Sequence, residues 1–265
     1  MKAGVSVRPT VLHLFCGIGG GALGFKRAGF ECIGAVDIDE AACKDFERLV
    51  GTKATVGDLA TMTPDALRAL CKNRRPDVVF LSAPCQAYSG CLPLAKSLTP
   101  EYQEMSSLSM RGVFVMLEAW ATKPPPLVVF ENVPRIVKRG AAWLEQIKKL
   151  LQAYGYAVHG STHDCGEVGG LAQRRKRFLL VARHMEQVPE LLYQPPKQRV
   201  KGVGELFEAL PIPLPDAIEG GPMHKLQKLS PLNWLRLALI PAGKDWRALP
   251  AQVALTERSA RQNGG

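Results

Sequence analysis

Short apolar runs alternate with helix-compatible segments through the first two thirds of the chain. Residues 11–15 form the first run and lead into the glycine-rich segment 16–21, which precedes a helical pattern over 22–28. A second run at 32–36 precedes charged and apolar residues with helical spacing over 40–49. Two strand–helix units in succession predict a parallel sheet with right-handed crossovers.

Two later apolar runs have the composition of buried parallel strands. Residues 77–82 lead into Ala83-Pro84-Cys85-Gln86, and residues 127–130 lead into Glu131-Asn132-Val133. The pattern also predicts helices at 64–70, 111–121 and 143–154, and strands at 156–162 and 178–182. The predicted fold class is therefore α/β, a mostly parallel sheet with helices on both faces.

The pattern changes twice. Residues 87–108 are rich in Ser, Pro, Gly and Leu without a clear period, which predicts an irregular, mobile lid beside Cys85. After residue 183 the chain turns to proline-rich connections around short helical pieces at 203–210 and 232–239. We therefore expect one domain over 1–183, and over 184–265 a linker and the start of a further, truncated region.

The composition argues against a membrane protein, a secreted protein and a disulfide-rich protein. No apolar run in the 265 residues approaches the ~20 that cross a bilayer, and no signal-like segment follows Met1, so we expect a cytoplasmic protein without a membrane partner. The seven cysteines are odd in number and form no C-x-x-C pair, which argues against a disulfide framework and against a metal site.

Charge points to a polyanionic partner. The net charge is +10 and the pI is near 9.4. Basic side chains concentrate between Leu171 and Lys201, where a solvated loop is the alternative interpretation. They are Arg174, Arg175, Lys176, Arg177, Arg183, Lys197, Arg199 and Lys201.

The glycine-rich segment after the first strand indicates a nucleoside-containing cofactor. Gly17 and Gly19 let the backbone approach a ligand, and Asp37 lies at the ~20-residue offset at which a carboxylate accepts hydrogen bonds from ribose hydroxyls. Gly17-x-Gly19-x-x-Ala22 also satisfies the relaxed dinucleotide fingerprint, so a nicotinamide or flavin dehydrogenase remains an alternative. A tight turn that only packs a helix on a strand is the other alternative.

Cys85 and Glu131 each follow a predicted buried strand. Parallel strands present their carboxyl ends at one edge of a sheet, where α/β folds bind ligands, so the thiol and the carboxylate are expected within reach of each other. A cysteine sealed in the core, and a carboxylate that only forms an ion pair, are the alternatives.

Four motifs in this order resemble the cytosine-5 DNA methyltransferase family of the prokaryotic or phage restriction-modification type. They are Phe15-x-Gly17-x-Gly19-Gly20, Pro84-Cys85-Gln86, Glu131-Asn132-Val133 and Gln173-Arg174-Arg175-Lys176-Arg177. The resemblance covers about residues 10–183 and implies a Rossmann-like, S-adenosylmethionine-dependent methyltransferase fold. It decides against a dehydrogenase, because hydride transfer gives no role to a strand-end thiol paired with a carboxylate.

The resemblance implies a role for each motif. Cys85 is the nucleophile that adds to carbon 6 of cytosine, Glu131 contacts the ring at N3 and the exocyclic amine, and Arg175 and Arg177 orient the base. The implied contacts with S-adenosylmethionine come from Phe15, Gly17, Gly19, Asp37, Ile38, Asp58, Leu59 and Pro84. The implied nucleic-acid contacts come from Gln86, Ser89, Arg174 and Lys176. The target base is flipped out of double-stranded DNA, with residues 86–107 closing over it.

The resemblance also has gaps. His13 stands where the family often has an acidic residue, and Ser109-Met110-Arg111-Gly112 stands where Asp-x-Arg-Gly is common. No target-recognition domain and no late Gly-Asn motif is found, so we expect a catalytic half that further chain or a second polypeptide completes. The alternatives are a noncatalytic or partner-dependent DNA-binding fragment and a tRNA cytosine-5 methyltransferase.

Overall fold

The computed structural model divides the chain into two compact units between Lys201 and Gly202. The structure describes residues 8–88, 92–97, 99–190, 195–208, 210–211, 226, 228–241 and 243–253. Ser89, a predicted nucleic-acid contact, lies outside the described residues.

A seven-stranded sheet forms the centre of the first unit. Its strands are β1 (Thr10–Leu14), β2 (Glu31–Asp37), β3 (Thr55–Val56), β4 (Val78–Leu81), β5 (Leu127–Asn132), β6 (Tyr156–Asp164) and β7 (Lys176–His184). The strand order is β3-β2-β1-β4-β5-β7-β6. The first five strands are parallel, whereas β7 runs antiparallel to both β5 and β6. The predicted mostly parallel sheet is therefore confirmed.

Helices cover both faces of this sheet. They are α1 (Gly20–Arg27), α2 (Glu40–Val50), α3 (Pro64–Leu70), α4 (Leu94–Ser97), α5 (Pro100–Ala119), α6 (Ile136–Arg139), α7 (Ala141–Ala153) and α8 (Cys165–Gly169). Side chains of α3, α5 and α7 share one hydrophobic cluster with alternate residues of β1, β4 and β5, while α1 and α2 form a second cluster with Ala35. Because Ala35 and Val36 are successive strand residues that join different clusters, the two clusters lie on opposite faces.

Helix α5 corrects one prediction. It begins at Pro100 and not at residue 111. Because α4 also lies in the same stretch, the expectation of an irregular segment over 87–108 is wrong for residues 94–97 and 100–108. The buried positions Ser106, Ser109, Val113 and Met116 keep a helical spacing. Two of these buried positions are serines. The sequence therefore lacks the helical spacing of apolar residues, although the buried positions themselves have that spacing.

The first unit extends beyond residue 183, the end of the predicted first domain. Met185 N donates to Gly155 O at 3.0 Å, and Gln198 N donates to Glu167 O at 2.8 Å. The first bond holds the residue after β7 against the residue that precedes β6. The second holds residue 198 against α8. The predicted boundary thus falls inside this unit.

The second unit contains short helices. Its described elements are α9 (Val203–Phe207), α10 (Pro231–Leu239) and a 3-10 helix at Trp246–Ala248. Arg236 on α10 donates through Nε to Val253 O at 2.8 Å. In neither unit does a described helix combine the length and the apolar character that crossing a membrane requires.

His13 on β1 is buried in an aromatic cluster. Its ring makes edge contacts with Phe25, Phe46 and Phe80, at centroid distances of 5.5, 6.2 and 5.7 Å. The side chain is 1% exposed, and no described residue forms a hydrogen bond with its Nε2. Burial lowers the pKa of His13 from 6.5 to about 4. The imidazole is therefore neutral at pH 7.

This depressed pKa predicts an acid-sensitive stability. Between pH 6.5 and 4 the unfolded chain protonates His13 and the folded chain does not, so stability falls as the pH falls through this window. Lowering the pH from 7.5 to 5 should cost about 2 kcal/mol through this group. His13→Leu should remove that part of the pH dependence in urea titrations at several pH values. An unchanged difference between pH 7.5 and 5 in the variant would contradict the assignment.

The 3-10 helix Gln86–Tyr88 packs against the junction of α6 and α7. Tyr88 is buried, and a Cβ added to Gly140 would lie 2.6 Å from Tyr88 Cε1 and 2.8 Å from Ile136 Cγ1. Only a residue without a side chain fits there without movement.

Gly140→Ala should therefore destabilise the first unit by about 1–3 kcal/mol through overpacking. Gly24→Ala is the matched control, because its added Cβ has no atom within 4 Å and lies inside α1. That control should be neutral or stabilising by up to about 1 kcal/mol. Urea midpoints measure both; equal effects of the two variants would show that Tyr88 does not require the glycine.

Candidate active site

One cleft at the carboxyl edge of the parallel strands brings most of the predicted site residues together. Its volume is about 1670 Å³, and all its lining residues belong to the first unit. The predicted residues that line it are Phe15, Gly17, Gly19, Asp37, Ile38, Asp58, Leu59, Pro84, Cys85, Gln86, Glu131, Arg175 and Arg177. Arg174 and Lys176 are exposed and do not line it.

The turn after β1 is tied to the end of β2. Gly17 N donates to Asp37 Oδ2 at 2.8 Å, and Cys16 N donates to Val36 O at 3.0 Å. Phe15 has a φ of 56°, a left-handed conformation that is uncommon for a residue with a side chain. Strain of this kind concentrates at functional loops, where the surrounding contacts hold it.

The two glycines in this turn meet different constraints. Gly17 has a φ of 49°, and a Cβ placed on it would have no atom within 4 Å. A Cβ on Gly19 would lie 2.8 Å from Val50 Cγ2, because the start of α1 packs closely on α2. Gly17 therefore leaves open space in the cleft, whereas Gly19 is required for packing as well as for its φ of 93°.

An apolar wall continues from this turn. Ile38 lines the cleft and is 68% exposed. Leu59 is buried, and Asp58 Oδ1 accepts a hydrogen bond from Ala60 N at 2.8 Å. The cleft thus offers apolar surface with carboxylates at its border.

The loop that carries Cys85 is fixed on both sides. Before it, Ser82 N donates to Leu14 O at 3.2 Å; after it, Tyr88 N donates to Cys85 O at 2.9 Å. The Asn132 side chain donates through Nδ2 to Ala83 O at 3.2 Å and accepts from Val133 N at 2.8 Å. Because β4 pairs with β5 in parallel, this buried amide fastens the Cys85 loop to the strand that carries Glu131.

Glu131 is half-buried and bound on both carboxylate oxygens. Oε1 lies 2.9 Å from Arg177 Nε, and Oε2 accepts a hydrogen bond from Ser82 Oγ at 2.6 Å. Glu131 pairs with Leu179 across β5 and β7, which places Arg177 on the same sheet face two residues along. Arg177 and Glu131 are thus brought together by strand register and not by sequence proximity.

The β6–β7 connection positions the other basic residues. Asp164 Oδ1 accepts from Gly166 N at 3.0 Å and from Arg175 N at 3.2 Å, and this holds the backbone that presents Arg175 to the cleft. Arg174 Nη1 and Lys197 Nζ lie 3.7 and 3.2 Å from the two oxygens of Glu167. These two cations form an exposed network beside the cleft.

A second thiol, that of Cys16, lines the same cleft. Burial and the Asp37 carboxylate raise the pKa of the Cys16 thiol well above its ordinary value. A thiol that stays protonated is a poor nucleophile, so Cys16 is not suited to covalent chemistry. Among the described residues, no group of three or more His, Cys, Asp or Glu side chains is arranged to hold a metal ion.

The sequence reasoning missed three residues of this site. They are Ser82, Tyr88 and Asn132. Asn132 lies in a motif in which the resemblance assigns it no role, although a polar residue that ends a buried strand requires a hydrogen-bond partner. Tyr88 and Ser82 have no such signal in the sequence. Tyr88 packs against Gly140 and Ser82 binds Glu131, and both partners are remote in the sequence.

Comparisons with known proteins identify the family of the chain. The model of the C-5 cytosine-specific DNA methylase family matches residues 10–210. Type II methyltransferase M.XorII of Xanthomonas oryzae pv. oryzae is 30% identical over 209 residues, which are 77% of this chain and 47% of that protein. Type II methyltransferase M.NgoFVII of Neisseria gonorrhoeae is 26% identical over 251 residues, 92% of this chain and 63% of that protein.

Solved structures show the same fold at low identity. The Entamoeba histolytica methyltransferase EhMeth superposes with a TM-score of 0.58 at 18% identity, covering 74% of this chain and 58% of that one. A prophage-encoded E. coli protein assigned as a DNA modification methyltransferase gives a TM-score of 0.65 at 19% identity, covering 96% and 69%. The chain spans about half to two thirds of the length of the relatives it matches. Its matched region and its fold show that the chain belongs to the C-5 cytosine-specific DNA methylase family.

Proposed function

We propose that the first unit is the catalytic domain of an enzyme that transfers a methyl group from S-adenosylmethionine to carbon 5 of cytosine in DNA. One observation carries this proposal: a single cleft is lined by the Asp37 turn, the Cys85 loop and the Glu131–Arg177 pair. Its volume of about 1670 Å³ exceeds that of an ordinary small-molecule pocket, about 300–1,000 Å³, and suits a cofactor together with an extruded base.

The residues of the turn fit S-adenosylmethionine. Each Asp37 oxygen accepts one backbone N–H, from Gly17 or from Asp39, and keeps a lone pair for a ribose hydroxyl. Ile38, Leu59 and Phe15 offer apolar surface to an adenine ring, and Asp58 accepts hydrogen bonds at its edge. Gly17 leaves room for the methionyl part, and Pro84 lies between the cofactor and Cys85. When bound, the cofactor supplies an electrophilic methyl group.

Cys85 performs the covalent step. Its thiolate adds to carbon 6 of cytosine, so that a carbon–sulfur bond forms and the electrons of the 5,6 double bond become available at carbon 5. After carbon 5 is methylated, loss of its proton restores the double bond and expels the Cys85 thiolate. Cys85 is half-exposed and lines the cleft. Backbone hydrogen bonds at Ser82 and Tyr88 hold the chain on either side of it.

Glu131 and the arginines hold the base during this step. The Glu131 carboxyl group faces N3 and the exocyclic amine, where charge changes as the adduct forms. Arg177 keeps the carboxyl group in place, and Arg175, presented at the rim, contacts the base or its neighbouring nucleotide. Gln86 and Ser89, which follow Cys85 in the sequence, contact the strand from which the base is extruded.

The remaining basic residues bind the DNA backbone in this proposal. These residues lie between the connection that precedes β7 and the end of the first unit; they are Arg174, Lys176, Lys197 and Lys201. The second unit, residues 202–265, takes part in recognising the target sequence in this proposal. Double-stranded DNA is therefore the proposed partner.

A second candidate is a DNA-binding fragment that depends on a partner for catalysis. One observation favours it: Arg174 and Lys176 are exposed and lie outside the cleft, so a basic surface is present apart from the proposed cofactor site. Such a fragment would hold DNA without holding the cofactor tightly.

Cofactor titration separates the two candidates. If the first unit builds the cofactor site, calorimetry should detect binding of S-adenosylmethionine, and Asp37→Asn should weaken it about 10-fold by removing a charged acceptor. Lys148→Gln on α7 should leave the affinity unchanged. No detectable binding by the chain would support the partner-dependent fragment.

Covalent trapping tests the nucleophile. DNA that contains 5-fluorocytosine should form a stable complex with the protein in the presence of S-adenosylmethionine, because fluorine cannot leave carbon 5 as a proton does. Cys85→Ser should abolish the denaturation-resistant band on a gel, whereas Cys91→Ser should retain it. A band of undiminished yield from Cys85→Ser would show that Cys85 is not the nucleophile. The same experiment with 5-fluorocytosine RNA of the same sequence tests the alternative of a tRNA methyltransferase, which predicts trapping by the RNA.

Salt dependence tests the backbone contacts. Neutralising Arg174, Lys176, Lys197 and Lys201 one at a time should weaken binding to all DNA sequences alike and reduce the slope of log K against log salt by about 0.9 for each lost contact. Lys148→Gln again serves as the charge control. Arg177→Gln should instead lose methylation more than binding. If the slope of log K against log salt is unchanged after all four charges are removed, these residues form a solvated surface and do not contact DNA.

A further inference from the structure

Ser82 stands one residue beyond β4, at the edge of the sheet that carries the proposed chemistry. Leu81 pairs with Phe130, so the next residue along each strand brings Ser82 beside Glu131. Successive strand residues alternate between faces, which puts Ser82 and Glu131 on the same side as Phe80. All three residues line the cleft.

The Glu131 carboxylate is held between a hydroxyl and a guanidinium. Ser82 Oγ donates to Oε2 at 2.6 Å, which is a short, charge-assisted hydrogen bond, and Arg177 Nε lies 2.9 Å from Oε1 as an ion pair. With a hydrogen bond on one oxygen and a cation against the other, the carboxylate plane is fixed, and lone pairs stay available to a ligand.

We propose that Ser82 is a positioning residue that fixes the orientation of the Glu131 carboxyl group toward the substrate base; this rests on the proposed function. Arg177 alone leaves the carboxylate free to rotate about the bond to its chain, because a single contact does not define a plane. The Ser82 backbone N–H is itself bound to Leu14 O at 3.2 Å, so the hydroxyl is presented from a rigid strand end. A hydroxyl also suits both states of the acid, since it donates to a carboxylate and accepts from a carboxyl group.

Three variants separate this role from a general effect on stability. Ser82→Ala removes the hydroxyl, and Ser82→Thr restores it with one extra methyl group. Thr10→Val is the matched control, because Thr10 Oγ1 donates to Asp77 Oδ2 at 2.8 Å and makes the same kind of bond at the opposite edge of the sheet. Thr10→Val should change stability without affecting Glu131.

The first readout needs no catalysis. The motion of the Arg177 guanidinium is followed through its Nε–H signal in a ¹H–¹⁵N spectrum, assigned by its loss in Arg177→Lys. In the wild type its order parameter should lie above ~0.6, because the guanidinium lies against a carboxylate of fixed orientation. Ser82→Ala should lower the order parameter below ~0.6, the range of flexible groups, whereas Ser82→Thr and Thr10→Val should keep the wild-type value. An order parameter in Ser82→Ala equal to that of the wild type, or a flexible wild-type guanidinium, would overturn the proposal.

The second readout is the chemical step. At saturating 5-fluorocytosine DNA, Ser82→Ala should form the covalent complex about 10-fold more slowly, with the affinity for S-adenosylmethionine unchanged, and Ser82→Thr should recover the rate. If the wild type traps and Ser82→Ala traps equally fast, the positioning role fails and the proposed function stands. If the wild type does not trap, the proposed function fails, and the order parameter of Arg177 alone decides whether Ser82 orients Glu131.

Discussion

The parallel pairing of β4 with β5 is the constraint on which the candidate active site depends. It brings the Cys85 loop and Glu131, 46 positions apart in the sequence, to one edge of the sheet. Two hydrogen bonds across this pair, from Asn132 to Ala83 and from Ser82 to Glu131, convert that proximity into a defined arrangement. A shift of the register by one residue would turn Glu131 to the opposite face and into the hydrophobic cluster.

The neighbouring strands extend this edge in both directions. On one side the turn after β1 is closed by Asp37, whose carboxylate accepts the Gly17 N–H and borders the proposed cofactor site. On the other side the antiparallel strand β7 brings Arg177 back to Glu131. An antiparallel strand is what allows a residue at the beginning of β7 to meet residues at the ends of the parallel strands. The same reversal places the basic segment 174–177 beside the cleft.

Sequence patterns predicted the parts of this structure that depend on local composition. The apolar runs that became β1, β2, β4 and β5 were evident, and so was the helix that Thr63 caps through its hydroxyl and Pro64 begins. The start of α5 was not predictable from hydrophobicity, because Ser106 and Ser109 occupy buried positions of that helix. The resemblance to a methyltransferase family named Cys85 and Glu131 directly, since their motifs are contiguous. Ser82 and Tyr88 could not be found in this way, because their partners lie across the fold.

The most direct test of the account is the chemical identity of the methylated nucleoside. DNA is incubated with S-adenosylmethionine and a preparation of the protein shown by titration to bind the cofactor, and it is then digested and analysed by mass spectrometry. The account predicts 5-methyl-2′-deoxycytidine as the new nucleoside, and none from Cys85→Ser. Methylation on an exocyclic nitrogen, or an undiminished yield from Cys85→Ser, would contradict it.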